Sequence, residues 1–240
     1  ISNDPEFNNE TALFIQFLQE QTAVKGQKSP NREAQIKIVK ETGFADEAYA
    51  LNIDSKGIEI KASTATGVFY GLQSLKSLLP ATDWNSKNKT LNFPYAQVKD
   101  QPRFPYRGFM LDIARNFHSK AEVLRILDAM AQYKLNKFHF HFIDDEGWRL
   151  EIPGLPELTE IGSVRSANYK DGNAIQPAYG SGAATKEKQY LSTQDYMDIL
   201  KYAAARHIDV IPEIETPGHA RAAIKSMEAR YNKLKKAGDL

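Results

Sequence analysis

Between residues 107 and 235 one pattern occurs three times: an apolar strand that ends in acids, followed by an amphipathic helix. YRGFMLDIAR predicts a strand ending near Asp112, LNKFHFHFI one ending before Asp144 and Asp145, and IDVIPEI one that carries Glu213 and ends just before Glu215. The intervening helices place Val123, Ile126, Leu127 and Met130, then Tyr196, Ile199, Leu200 and Ala203, at the spacing of a single helical face. Ser119 with Glu122, and Ser192 with Asp195, form capping boxes at their starts. After TPGH a last helix runs toward residue 235. This β-α-β-α-β-α order with short links points to a parallel sheet. A doubly wound sheet would carry a Gly-rich phosphate turn, and none follows any strand. A (β/α)8 barrel instead gathers its working groups at the C-terminal strand ends, where these acids fall.

Residues 1–95 have a different texture. ETALFIQFLQEQ sets Leu13, Phe14, Phe17 and Leu18 at helical spacing, while AQIKIVK and AYALNID alternate as half-buried strands do. The turn Asp54 to Gly57 leads into GIEIKA, and GVFYGLQSLKSLL forms a helix stopped by Pro80. Nothing here gathers catalytic groups. The expected fold is therefore a small α+β domain over 1–95, followed over 96–240 by the first three βα units of a (β/α)8 TIM barrel. SKNKTLNFPYAQVKDQPRFPY is read as the link between them. Only three of eight barrel strands are present, so two sheet edges are expected to pair with another chain or to be capped.

Composition narrows the function. The 240 residues carry a net charge of +1 with no dense basic block beyond KLKK, which argues against a nucleic-acid partner. With no cysteine, disulfides and thiolate metal sites are excluded. No apolar run approaches the roughly 18 residues of a membrane span. No signal peptide is visible, but the chain starts at Ile1 rather than Met, which leaves a removed export signal open. Two sequons, at Asn9 and Asn88, are short enough to arise by chance.

Four constellations can carry chemistry. His139 and His141, two apart on a strand, share a face as a metal pair requires, or are hydrogen-bonded side chains filling a barrel interior. In the Asp144-Asp145-Glu146 run, acids could act as a glycosidase pair or simply open a polar loop, and adjacent residues usually point apart. Glu213 and Glu215 share a face, and His219 of TPGH sits where it could tune or orient a carboxyl group. Arg115, three residues past Asp112, can form an ordinary ion pair or offer its donors to sugar hydroxyls.

Taken together, RGFMLDIARNFHS, DAMAQYKLNKFHFHFIDDEGWRLEI, PELTEIG and LSTQDYMDILKYAAARHIDVIPEIETPGHA resemble the family 20 β-N-acetylhexosaminidases, in family order. The upstream EAYALNIDSKGIEIKASTATGVFYGLQSLKSLL resembles the small domain that precedes their barrel. The resemblance implies retaining exo-hydrolysis of terminal β-linked N-acetylglucosamine or N-acetylgalactosamine from glycans, without metal or other cofactor. The nucleophile in that scheme is the substrate's own acetamido group. It implies that Arg115 binds hydroxyls of the terminal sugar and that Asp144 lines the same pocket. His219 would join Asp144 in supporting the general acid, and Glu215 holds a position that is acidic in some relatives. An exported location, periplasmic, outer-surface or lysosome-like, follows from the resemblance alone.

The sequence departs from the family at one decisive place. The acting Asp-Glu pair follows two glycines at the end of the fourth strand, whereas Asp-Glu occurs here only at Asp46-Glu47 and Asp145-Glu146, neither after Gly-Gly. The expectation is a fragment of a hydrolase that is inactive alone. A non-catalytic carbohydrate-binding protein and a metal-dependent amidohydrolase using His139 and His141 are the rival readings.

Overall fold

The computed structural model describes residues 1–30, 33–84, 87, 89–168, 170–177, 181, 187 and 189–239. Asn88 of the second sequon lies outside them. Two compact units are formed. One comprises Ile1–Arg107 with Ala131–Lys134 and Ala205–His207, and the other Gly108–Met130, Leu135–Ala204 and Ile208–Leu240.

The first unit is a five-stranded mixed sheet covered by helices. Its strands are β1 (Ser2–Asn3), β2 (Ile36–Lys40), β3 (Tyr49–Asp54), β4 (Gly57–Ala62) and β5 (Ala96–Asp100), in the spatial order β1-β2-β4-β3-β5. Register aligns Ile38, Ile60, Leu51 and Val98 in one row. On that face packs α2 (Ala65–Ser77), through Val68, Leu72 and Leu75, and against α2 lies α1 (Asn8–Gln21), whose Phe14 and Leu18 are buried. α2 lies close because it carries glycine: a Cβ on Gly67 would come within 2.5 Å of the Ala48 carbonyl oxygen.

The stretch read as a link contains β5, which is a correction. AQVKD has one β-branched residue and no flanking alternation, so local propensity hides it; pairing with the buried β3 supplies what the sequence lacks.

The second unit contains a parallel sheet of β6 (Gly108–Asp112), β7 (Lys137–His141) and β10 (Asp209–Glu213), ordered β10-β7-β6. Helix α3 (Lys120–Gln132) follows β6, the short α4 (Glu157–Glu160) and α5 (Thr193–Ala204) lie between β7 and β10, and α6 (Arg221–Ala237) follows β10. Phe138 and Phe140 of the central strand are fully buried, and Phe142 meets Tyr196 of α5 edge-on at 5.7 Å. This is a mixed α/β fold, as the sequence predicts.

Both expected caps form, with different geometry. Ser192 and Asp195 exchange backbone-to-side-chain bonds of 3.1 and 3.0 Å. At Ser119 the Glu122 carboxylate accepts both the backbone N–H, at 2.7 Å, and the hydroxyl, at 2.9 Å. α3 and α5 both end without glycine. Lys134 and His207 take the left-handed conformation, with φ of 57° each, and Leu135 and Ile208 bond back to Met130 and Ala203, as in Schellman turns. In the first unit, Lys134 Nζ then reaches the Tyr49 hydroxyl at 2.8 Å, Ser74 Oγ at 2.7 Å and Asp100 at 3.1 Å.

Candidate functional site

In a parallel sheet in register, residues of equal rank share a row and a face. Asp112, His141 and Glu213 therefore stand side by side at the C-terminal end of β6, β7 and β10. One row earlier on this face come Met110, His139 and Ile211. The opposite face holds the buried phenylalanines, so helix packing and strand-end chemistry are separated by the pleat.

The run Asp144-Asp145-Glu146 turns sharply at this end. β8 (Ile143–Asp144) and β9 (Gly147–Trp148) form a two-residue hairpin, which the sequence reading missed. Its three acids go three ways. Asp144 is buried beneath the site, Asp145 accepts the backbone N–H of Arg221 at 2.9 Å at the start of α6, and Glu146 turns to Arg115. No acid–acid pair is assembled across an open cleft within the triplet.

Arg115 and Asp144 are the centre of the constellation. Arg115 Nη2 lies 2.7 Å from Asp144 Oδ2, Nη1 2.8 Å from Asp112 Oδ2, and Nε 3.1 Å from Glu146 Oε2. Asp112 also accepts the backbone N–H groups of Ala114 and Arg115 at 2.9 and 3.1 Å, which bends the chain just past β6. Asp144 in turn receives His141 Nε2 and His219 Nδ1, each at 3.1 Å, and the Asp145 N–H at 2.6 Å. Burial pushes its carboxyl up, but the Asp145 N–H, the Arg115 charge, Glu146 and His219 outweigh it and hold it below the usual range. Asp144 is thus a fixed acceptor and not a proton donor. His219, more than half exposed, presents its ring at the open side with a backbone φ of 50°.

Glu213 ties the two histidines together: it pairs with His139 Nε2 and lies 3.0 Å from His141 Nδ1. Burial raises the Glu213 carboxyl, and the neighbouring His141, Glu215 and His139 more than reverse this. Glu215 sits with Glu213 and His141, their donor atoms within 4.8 Å of one another, and also borders a groove of about 860 Å³ shared with Trp148, Ile214 and Tyr231. Two groups have the ligand types of a metal site: His141, Glu213 and Glu215, and Asp144, Asp145 and His219. Carboxylates lie at both ring nitrogens of His141, and Asp144 pairs with Arg115, but His141 Nδ1 and Glu213 Oε2, 3.0 Å apart and buried, make no hydrogen bond.

Two buried arginines hold the frame. Arg149, fully buried, donates to the carbonyls of Ala114 at 2.8 Å, Ser163 at 3.0 Å, Gln189 at 3.0 Å and Ile113 at 3.2 Å. Burial, then the Arg165 charge, lower its pKa to about 9, which leaves it protonated at neutral pH. Arg165 donates to Ala114 at 2.7 Å, Glu146 at 3.0 Å and Arg115. From the sequence, Arg149 has no assigned role, Arg165 is not singled out and Glu146 is a candidate only within the Asp144-Asp145-Glu146 run; an arginine that donates to backbone carbonyls leaves no charge pattern to find.

The structure brings Arg115, Asp144 and His219 into one network and leaves Glu215 beside it, next to Glu213. A planar set of donors, a buried acceptor and an accessible imidazole suit a neutral, hydroxyl-rich ligand.

Residues 104–239 match Glycosyl hydrolase family 20, catalytic domain, and residues 1–101 match Glycosyl hydrolase family 20, domain 2. The chain is 51% identical over 193 residues to N,N'-diacetylchitobiase of Vibrio harveyi, covering 80% of this chain and 21% of that protein. Beta-hexosaminidase B of Pseudoalteromonas piscicida is 40% identical over 227 residues, 93% of this chain and 28% of the relative. Among solved structures, an exo β-N-acetylglucosaminidase from Vibrio harveyi, in complex with N-acetylglucosamine, superimposes with a TM-score of 0.83 at 35% identity. That match covers 95% of this chain and 34% of the other. The Streptomyces plicatus N-acetyl-β-hexosaminidase gives 0.73 at 31% identity, with 92% and 43% covered. The chain therefore spans between a fifth and a half of the lengths it matches.

Proposed function

The chain belongs to glycosyl hydrolase family 20, and from that premise we propose that it is the leading part of a retaining exo-β-N-acetylhexosaminidase. In this reading β6, β7 and β10 are the first three strands of a (β/α)8 barrel, and the protein acts on N-acetylhexosamine glycans outside the cytoplasm. The outer strands support it: Phe109, Met110 and Ile211 are exposed, as are Ile214, Ile224 and Tyr231, all positions that later barrel units would cover. β6 and β10 each leave an edge without a strand partner among the described residues, ready for those units or another chain.

Arg115 then grips hydroxyls of the terminal sugar, Asp144 fixes Arg115 and lines the pocket, and His219 links Asp144 to the general acid. Glu215 borders the pocket. The reaction is substrate-assisted. The acetamido oxygen bonds to the anomeric carbon as the glycosidic C–O bond breaks, and the general acid protonates the departing oxygen. Water then opens the cyclic intermediate with retention. The Asp that orients the acetamido group and the Glu that donates the proton are not among these 240 residues.

The observation that carries this reading is the joined Arg115–Asp144–His219 network at the strand ends. Its test is an aryl N-acetyl-β-glucosaminide offered to the purified 240-residue chain. No turnover is expected, because the absent acid alone is worth about 10²–10⁴ in rate. Robust turnover would overturn the assignment of the missing pair.

A further inference from the structure

Arg115 does not choose its own orientation. Its guanidinium has five N–H groups, one on Nε and two on each Nη. Three carboxylates from different segments take one bond on each nitrogen: Asp112 from the end of β6, Asp144 from β8, and Glu146 from the hairpin turn. The second Nη1 position lies against His141 Nε2 at 3.4 Å. Glu146 occupies the single Nε–H and is the third point, with Asp112 on Nη1 and Asp144 on Nη2, that fixes the guanidinium about the Cδ–Nε bond, while the second N–H of Nη2 keeps capacity for a ligand.

The main chain at both ends of this contact is anchored by the same two buried arginines. On one side Ala114 O accepts from Arg149 and Arg165, at 2.8 and 2.7 Å, and Arg115 O accepts from Arg165. On the other, Glu146 O accepts from Arg165 Nε at 3.0 Å and from Arg149 Nη2 at 3.5 Å. Gly147 lets the Arg149 guanidinium pass directly beneath the turn, since a Cβ there would lie 2.5 Å from it. The Glu146 side chain itself is nine-tenths buried, too enclosed to serve as an ordinary surface charge.

We propose that Glu146 is a positioning residue: by holding Nε–H it completes the three-point grip that sets the plane of the Arg115 guanidinium, and through that plane the affinity for the sugar. The second half rests on the reading of Arg115 as a sugar-binding group; the first half stands on the geometry alone.

The experiment uses the 240-residue chain labelled with ¹⁵N, in wild-type, Glu146→Ala, Glu146→Gln and Arg115→Ala forms. The Arg115 Nε–H signal, assigned by its loss in Arg115→Ala, reports the contact. Glu146→Ala should move that signal upfield and speed its exchange with water about tenfold, the equivalent of one charge-assisted bond. Glu146→Gln, which keeps an acceptor oxygen, should recover most of the wild-type signal. N-acetylglucosamine affinity, measured on the same samples, should fall about tenfold in Glu146→Ala and less in Glu146→Gln. An Nε–H signal unchanged in Glu146→Ala overturns the positioning role, and so does unchanged sugar affinity with an altered signal. If Arg115→Ala binds the sugar as the wild type does, the sugar-binding reading fails instead, while the Nε–H result still decides the contact.

Discussion

The two units build sheets by the same alternation and use the second face differently. In the first unit the face away from α2 carries partly solvated charges: Lys61 stands 2.8 Å from Glu41 and 3.7 Å from Glu59, all three half-exposed. In the second, the corresponding face carries Asp112, His141 and Glu213 in one row, beside a buried Asp144. Exposed pairs add little to stability and tolerate change. A buried network must be satisfied in full, so each member constrains the others. The first sheet is an architectural element, and the second is a platform on which geometry matters.

The comparison breaks most sharply at Asp144. Asp144→Ala leaves Arg115 and His219 without their shared acceptor, and the loss should be about 3 kcal/mol in urea unfolding. A change below about 1 kcal/mol would mean that the network is as dispensable as the Lys61 pairs. Acid should find the same place. The Asp144 and Glu213 carboxyls lie below their ordinary range when folded, so their contribution is complete above roughly pH 4 and is lost as pH falls through the depressed folded values. Asp144→Ala should flatten that acid limb.

Next in size is a packing change in the first unit. Gly67→Ala drives a methyl into the Ala48 carbonyl and should cost about 1–3 kcal/mol. If it costs nothing, close helix–sheet packing is not what makes that unit rigid. The caps should be equal in the two units: Thr64→Ala, removing the 3.1 Å bond from Gly67 N–H, and Ser192→Ala should each cost about 1 kcal/mol. At the bottom of the scale, Lys61→Met should leave the unfolding midpoint where it was.

How much of this was legible in the sequence follows the same division. Strands and helices with strong periodicity were readable in both units, because burial writes itself into residue spacing. β5 was not, since its partner β3 lies over 40 residues upstream and a short edge strand needs little apolar content of its own. At the site, Arg115, Asp144 and His219 came from motif resemblance, and the structure joins them. The histidines His139 and His141, readable as a metal pair, lie against Glu213, and His141 Nε2 also meets Asp144 at 3.1 Å. What the sequence hid was the support: Glu146 reads as one acid of the DDE run, and Arg149 as part of the second-strand motif without an assignable role. Arg149 acts on backbone carbonyls and Glu146 on the Arg115 side chain, contacts created only when the loop after β6 folds against the hairpin of β8 and β9.

The central claim is that Arg115, Asp144 and His219 form a sugar-holding site. Its most direct test is N-acetylglucosamine titrated into the ¹⁵N-labelled 240-residue chain. Saturable shifts at Arg115, Asp144 and His219, abolished in Arg115→Ala, are the predicted result. The absence of saturable shifts there, or shifts that survive Arg115→Ala unchanged, would contradict the claim.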